Sequence, residues 1–168
     1  MTGIVVRPFE WADAGAVSRI VKGAFGGDGE VALIETLRRE SEIVCEFVAA
    51  TPSELIGHVA FSRLSMQCDG ASLRAVALAP LAVAPAHQRS GVGKVLTRFA
   101  LCALRESQEE VVVVLGHPNY YRVFGFSALL AKLLEAPYSG DAFMALELRP
   151  GALAGGRWKV EYARAFSS

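Results

Sequence analysis

The sequence has little cysteine: only Cys45, Cys68 and Cys102 are present. They form no C-x-x-C pair and their number is odd, which fits a reducing compartment better than a disulfide scaffold. No cluster of His, Cys, Asp and Glu has the spacing of metal ligands, so we expect no metal site. No serine lies in a G-x-S-x-G elbow, which argues against hydrolase chemistry of that type.

The chain also lacks an excess of charge, since 17 Lys and Arg balance 17 Asp and Glu. Zero net charge does not favour nonspecific binding to nucleic acid or to an anionic membrane surface. No apolar run approaches the ~20 residues that span a bilayer. The N-terminal residues lack the basic-then-apolar layout of a signal peptide. We therefore expect a cytoplasmic protein with no nucleic-acid and no membrane partner.

What the chain does contain is the length and the hydrophobic content of one globular domain. It has 168 residues, of which 52% are hydrophobic, and we expect a single domain over residues 1–168. Apolar periodicity predicts an α/β protein with helices over residues 13–25, 30–40 and 92–106. It predicts strands over residues 4–7, 46–50, 55–64, 73–83, 111–115 and 142–148, another beginning at Phe126, and a final strand or tail over 158–166.

The predicted strand over residues 73–83 has a break in its alternation. Val76 and Leu78 share one face, whereas the larger apolar residues beyond Pro80, Leu81 and Val83, lie on odd positions. A slip of one residue at a proline is typical of a β-bulge, which twists a strand away from its neighbour. An extended ligand could then pair with the exposed backbone groups of this bulged strand.

The most informative motif follows this strand and leads into a predicted helix. It reads Val83-x-Pro85-x-x-Gln88-Arg89-x-Gly91-x-Gly93. Several backbone N–H groups point the same way at the positive end of a helix, which makes an anion site suited to a pyrophosphate. Glycines let the backbone approach the phosphates closely. The residues that we expect to form this site are Gln88, Arg89, Ser90, Gly91, Val92, Gly93 and Lys94.

Two other glycine-rich phosphate motifs fit this turn poorly. A Walker A loop would need a glycine at Gln88 and a hydroxyl at Val95. A dinucleotide-binding fingerprint would need a third glycine at Leu96, and it normally follows the first strand of a sheet. An ordinary strand-to-helix turn is the remaining alternative.

The motif resembles the acetyl-coenzyme A motif of the GCN5-related N-acetyltransferase (GNAT) superfamily. The segment from Tyr120 to Phe126 is similar to a later segment of that superfamily, and the string Val114-Leu115-Gly116-His117-Pro118-Asn119-Tyr120-Tyr121 is similar to the YhbS-like predicted N-acetyltransferases. The resemblance implies a three-layer fold. Its central mixed, mostly antiparallel sheet has six or seven strands, one of them bulged and splayed, flanked by helices.

The resemblance also implies a function and a set of site residues. The protein would transfer the acetyl group of acetyl-CoA directly to an amine, through a ternary complex. The pantetheine arm would lie along Leu81, Ala82 and Val83. Asn119 would contact the pantetheine, although helix capping explains that residue equally simply. Tyr121 would donate a proton to the departing thiolate.

The strand over residues 73–83 contains no acid, which departs from the superfamily pattern of a glutamate base there. His117 at the end of the next strand is the candidate replacement, because imidazole titrates near neutral pH. A base is unnecessary if the amine arrives neutral. The missing acid also keeps open a non-catalytic acyl-CoA sensor or interaction module. The acceptor, a small molecule or a protein amine, is not specified, and a homodimer is compatible with the sequence.

Overall fold

The structure is a computed structural model that describes residues 3–167. Its contacts divide the chain into two compact units. The first unit contains the residues up to Phe61 together with Ala79–Cys102. The second unit contains Ser62–Leu78 and the residues from Ala103 onwards.

The described residues form eight strands and five α-helices, joined by short 3-10 turns. The strands are β1 (Val5–Pro8), β2 (Ile43–Ala50), β3 (Leu55–Cys68), β4 (Ala71–Val83), β5 (Val111–Leu115), β6 (Leu134–Glu135), β7 (Phe143–Glu147) and β8 (Trp158–Tyr162). The helices are α1 (Ala14–Phe25), α2 (Gly29–Arg39), α3 (Val92–Arg105), α4 (Pro118–Tyr121) and α5 (Ala128–Ala131).

The strands pair into one mixed sheet in the order β1-β2-β3-β4-β5-β7, and β8 pairs with β3 and β6. This confirms the predicted fold class. The sheet has eight strands rather than six or seven because the two-residue β6 is also paired, and a strand of that length leaves no readable alternation in a sequence.

In the first unit, helices α1 and α2 pack their apolar stripes on the sheet. Val17 and Ile20 of α1 and Ile34 of α2 join Val48 and Ala82 in one buried cluster. The helical spacing of the apolar residues within α1 and within α2 is the pattern that predicted these two helices. Strand β1 pairs antiparallel with β2, with Val5 opposite Ala50.

Asp13 is the N-cap residue of α1, but its side chain makes no capping hydrogen bond to that helix. Its carboxylate accepts hydrogen bonds from Arg7 Nη1 at 2.8 Å and Nη2 at 2.9 Å, and from the Glu10 backbone N–H at 2.8 Å. The Arg7 hydrogen bonds lower the pKa of the Asp13 carboxyl. The residue therefore ties β1 to the turn before α1 instead of closing the helix itself.

In the second unit, β5 lies between β4 and β7. Residues Ala75 to Leu78 of β4 pair with it in parallel, opposite Val111 to Val114, and β7 pairs with it antiparallel. Residues 111–114 of β5 are all at most 2% exposed. A strand covered on both faces is a continuous apolar run, as the sequence predicted here.

Strand β4 changes its burial pattern at Pro80, where the sequence predicts a bulge. Residues 75–78 are all buried, and beyond them Pro80 and Ala82 are buried while Leu81 and Val83 are half-buried. The larger side chains therefore lie on the less covered face. The Ala79–Pro80 peptide bond is cis. The bulge itself stays a prediction.

The expectation of a strand from Phe126 was wrong. Ser127 makes a single antiparallel bridge with Ala145, and the chain then turns into α5. The physical reason is a helix cap, because Ser127 Oγ accepts a hydrogen bond from the Leu130 N–H at 3.1 Å.

Candidate active site

The turn between β4 and α3, in the first unit, is held by its own side chains. A 3-10 turn over Pro85–His87 is followed by residues 88–91 and then by the start of α3 at Val92. Gln88 Nε2 donates to the Val83 carbonyl at 3.0 Å, and Ser90 Oγ donates to the His87 carbonyl at 2.5 Å. The side chains of Gln88 and Ser90 thus brace the turn, which leaves its backbone N–H groups as the groups that could meet a ligand.

The backbone of the turn adopts the left-handed conformation twice. Arg89 has φ of 59° and Gly91 has φ of 90°. Alternation of ordinary and left-handed residues aims successive N–H groups into one concavity, a geometry that suits an anion. Glycine is the residue that adopts φ near 90° without strain, so the geometry explains its presence at position 91.

Two cationic side chains, Arg89 and Lys94, lie at the turn. Arg89 and Lys94 are exposed, and neither has an acidic partner among residues 3–167. His87 lies 3.4 Å from Glu54. Val92 is buried in the core with 1% of its surface exposed, so only its backbone can serve a ligand. Two unpaired cations beside a helix N-terminus fit a diphosphate.

The predicted pantetheine contacts lie just before this turn, at the end of β4. Ala82 is buried, whereas Leu81 and Val83 are half-buried. The Val83 carbonyl already accepts the Gln88 amide. Contact of these three residues with a ligand stays a prediction.

In the second unit, α4 begins three residues after the end of β5, and the other predicted residues lie in it or at its N-cap. The His117 carbonyl accepts from the backbone N–H groups of Tyr120 and Tyr121, each at 3.1 Å, while the His117 side chain is exposed. Asn119 lies inside α4 and is also exposed, and His117 is the N-cap residue. Helix capping therefore does not explain Asn119.

The ring of Tyr121 lies against the backbone of Gly116. A Cβ atom at Gly116 would lie 2.5 Å from Tyr121 Cε2, a distance that no side chain there can keep. Tyr120 and Phe126 contact the Tyr121 ring edge-on, with ring centroids 4.9 Å and 5.7 Å away. Burial raises the pKa of the Tyr121 phenol, and Tyr120 raises it further. The phenol is therefore held in place and stays protonated at neutral pH.

The sequence reasoning missed a buried polar group in the first unit. Glu46 of β2 lies between two donors: His58 Nε2 of β3 is 2.6 Å from Glu46 Oε2, and Arg38 of α2 donates from Nη2 at 2.5 Å and from Nε at 3.2 Å. His58 has no exposed surface, and within the described residues its Nδ1 has no hydrogen-bond partner. The sequence did carry a signal for this group, because Glu46 and His58 each lie within a mostly apolar strand.

The described residues show neither a metal cluster nor a membrane helix. Within residues 3–167, no three His, Cys, Asp or Glu side chains are grouped so as to hold a metal ion. In the same part of the chain, every helix is too short or too polar to cross a bilayer.

Comparison with known proteins gives consistent matches. A family model described as "Acetyltransferase (GNAT) domain" matches residues 5–129. The chain is 32% identical to the uncharacterized N-acetyltransferase YhbS of Escherichia coli strain K12 over 158 residues, or 92% of this chain and 93% of that protein.

Two solved structures are similar over nearly the whole chain. The crystal structure of the GNAT family N-acetyltransferase YhbS from Escherichia coli in complex with CoA has a TM-score of 0.89 and 30% identity, covering 98% of this chain and 92% of that one. A GNAT family acetyltransferase from Brucella melitensis in complex with acetyl-CoA has a TM-score of 0.81 and 28% identity, covering 97% of each chain.

Proposed function

This chain belongs to the GNAT acetyltransferase family and is an acyltransferase, and we propose that it transfers the acetyl group of acetyl-CoA directly to an amine while both are bound. The observation that carries the proposal is the turn at residues 88–93. Its left-handed Gly91 and its N–H groups suit a pyrophosphate, as do the nearby cations Arg89 and Lys94, which have no acidic partner within residues 3–167. The similar structures from Escherichia coli and Brucella melitensis contain CoA and acetyl-CoA.

In the proposed reaction the nitrogen of a neutral amine attacks the carbonyl carbon of the acetyl thioester. The carbon–nitrogen bond forms, and the tetrahedral intermediate collapses with cleavage of the carbon–sulfur bond. The nitrogen loses one proton, and the CoA sulfur finally gains one. The chain's residues hold the thioester, stabilise the departing sulfur and remove the proton from the nitrogen.

We assign to Tyr121 the stabilisation of the departing CoA sulfur. Its raised pKa keeps the phenol protonated, so the hydroxyl is available as a donor. A thiol has a pKa of about 8.5 and an ordinary phenol one of about 10, so full proton transfer from tyrosine to thiolate is uphill. Burial makes that transfer harder still. Tyr121 therefore stabilises the thiolate by a hydrogen bond, and the sulfur takes its proton from solvent.

We assign to His117 the removal of the proton from the amine nitrogen. Strand β4 contains no aspartate or glutamate. The exposed His117 side chain, at the start of α4, is open to water, and imidazole is the commonest general base in enzymes. We place Asn119, also exposed on α4, against the pantetheine arm.

The test is a thiol-release assay with acetyl-CoA and a panel of small amines, with the acetylated product identified by mass spectrometry. We expect amine-dependent release of CoA, and Tyr121→Phe should lower kcat about tenfold to hundredfold, the loss of one hydrogen bond to a charged group. Tyr162→Phe is the matched control, because Tyr162 is another tyrosine with a pKa raised by burial. Equal kcat values for the two variants would remove Tyr121 from the mechanism.

A further inference from the structure

A groove in the second unit lies outside the residues assigned so far. Its volume is about 350 Å³. We call it the α5 groove; it is formed by α5, the start of β6, the loop over residues 138–141, Phe143 and Arg157. Ligand clefts in proteins run from about 300 to 1,000 Å³, so a groove of this size suits a small molecule.

The loop that lines the groove is joined by backbone pairing to the end of β5. Tyr121 packs against Gly116, the residue that follows this strand. Leu115, the last residue of β5, pairs with Phe143, which lines the groove. The Gly116 N–H donates to the Ala142 carbonyl at 2.9 Å, next to the groove loop. The ring of Tyr121 packs against the same Gly116. The groove therefore adjoins the end of β5 at which the proposed chemistry takes place.

The walls of the α5 groove combine apolar and charged groups. Leu134 and Phe143 are buried apolar residues that supply its apolar lining. Lys132 and Arg157 also line it, and Arg157 Nη1 donates to the Lys132 carbonyl at 3.3 Å, which holds the guanidinium beside α5. Neither cation has an acidic partner within residues 3–167. Asp141 is the acid among the lining residues.

We propose that the α5 groove binds the acetyl acceptor, and that the acceptor is a small amine that also carries a carboxylate. The carboxylate meets Lys132 and Arg157, the apolar part of the molecule lies against Leu134 and Phe143, and the amine end is attracted by Asp141. Two cations and one acid match a molecule with one group of each charge. This inference rests on the proposed acetyl transfer and adds the class of its acceptor.

The test compares amino acids with their amides as acceptors in the thiol-release assay. Each amide keeps the amine and the side chain of its amino acid but lacks the carboxylate charge. We expect kcat/KM to be at least about tenfold higher for the acids, the contribution of a hydrogen bond to a charged group. In the double variant Lys132→Ala, Arg157→Gln this preference should disappear through a higher KM for the acid, while the KM for acetyl-CoA stays unchanged.

Lys159→Ala is the matched control, since it removes an exposed cation two residues from Arg157 that does not line the groove. A preference for acids that survives the double variant, or equal rates for acids and amides, would overturn the inference. If acetyl-CoA binds but no member of the panel is acetylated, the acceptor class is wrong while the donor site stands. If acetyl-CoA does not bind, the proposed function itself fails.

Discussion

Replacement of Glu46 by glutamine should destabilise the protein strongly, because this carboxylate lies between two buried donors. The Arg38 and Glu46 side chains are only 7% and 6% exposed, and that of His58 is not exposed at all. Glutamine keeps the volume but removes the negative charge, which leaves the buried guanidinium uncompensated. Removal of one partner of a buried ion pair costs about 3–5 kcal/mol.

The stability lost in Glu46→Gln should also depend on pH. Burial by itself raises the pKa of the Glu46 carboxyl, but the hydrogen bonds from His58 and Arg38 outweigh it, so the pKa lies below the ordinary value of 4.5. A carboxyl with a lowered folded-state pKa stabilises the fold above its unfolded-state pKa, and this contribution is lost as pH falls through the folded-state pKa. The stability difference between wild type and Glu46→Gln should therefore be full at neutral pH and shrink in acid.

The assay is urea unfolding followed by circular dichroism at several pH values. Glu161→Gln is the matched control, because Glu161 pairs with Lys159 at 3.7 Å and both side chains are about two-thirds exposed. Exposed pairs contribute about 0–1 kcal/mol, so the control should stay close to wild type. The reasoning is refuted if Glu46→Gln and Glu161→Gln lose similar free energy of unfolding at neutral pH, or if the difference between them does not depend on pH.

Three further changes have defined outcomes. Gly116→Ala should push the Tyr121 ring out of place, because its Cβ would lie 2.5 Å from Tyr121 Cε2; we expect kcat to fall about tenfold or more with unchanged acetyl-CoA affinity, and an unchanged kcat would contradict this. Glu109→Gln should cost about 1–3 kcal/mol in urea unfolding, because the buried carboxylate accepts charge-assisted hydrogen bonds from Arg63 and Arg74; a loss no larger than that of Glu161→Gln would count against it. Asp13→Ala should cost about 1–3 kcal/mol by removal of the hydrogen bonds from Arg7, and a thermal unfolding midpoint equal to that of wild type would argue otherwise.

The local patterns of the sequence predicted most of the fold. Helical spacing gave helices over residues 13–25 and 92–106, and the structure has α1 at Ala14–Phe25 and α3 at Val92–Arg105. The apolar run at residues 111–115 became β5 without change. These elements could be predicted because burial on one stripe or on both faces leaves a periodic mark in the sequence.

The elements that were missed depend on tertiary pairing or on single side chains. The Ser127 cap turned an expected strand into α5, and the pairing of β6 with β8 joins segments that are far apart in the chain. The hydrogen bond between Glu46 and His58 links adjacent strands through a register that the sequence does not state. The motif predicted the turn before α3 and a separate segment pointed to Tyr121, and the roles of both stay predictions. The close approach of the Tyr121 ring to Gly116 left no signal in the sequence.

The central claim is that the turn at Gly91 binds acetyl-CoA, and calorimetric titration of the purified protein with acetyl-CoA tests it most directly. The wild type is compared with Gly91→Trp and with Gly151→Trp, a control at another glycine of positive φ, 80°, with open space around it. We predict micromolar binding by the wild type and by Gly151→Trp, on the order of 8 kcal/mol of binding free energy, and its loss in Gly91→Trp. Absence of binding by the folded wild type, or equal affinity in Gly91→Trp, would contradict the account.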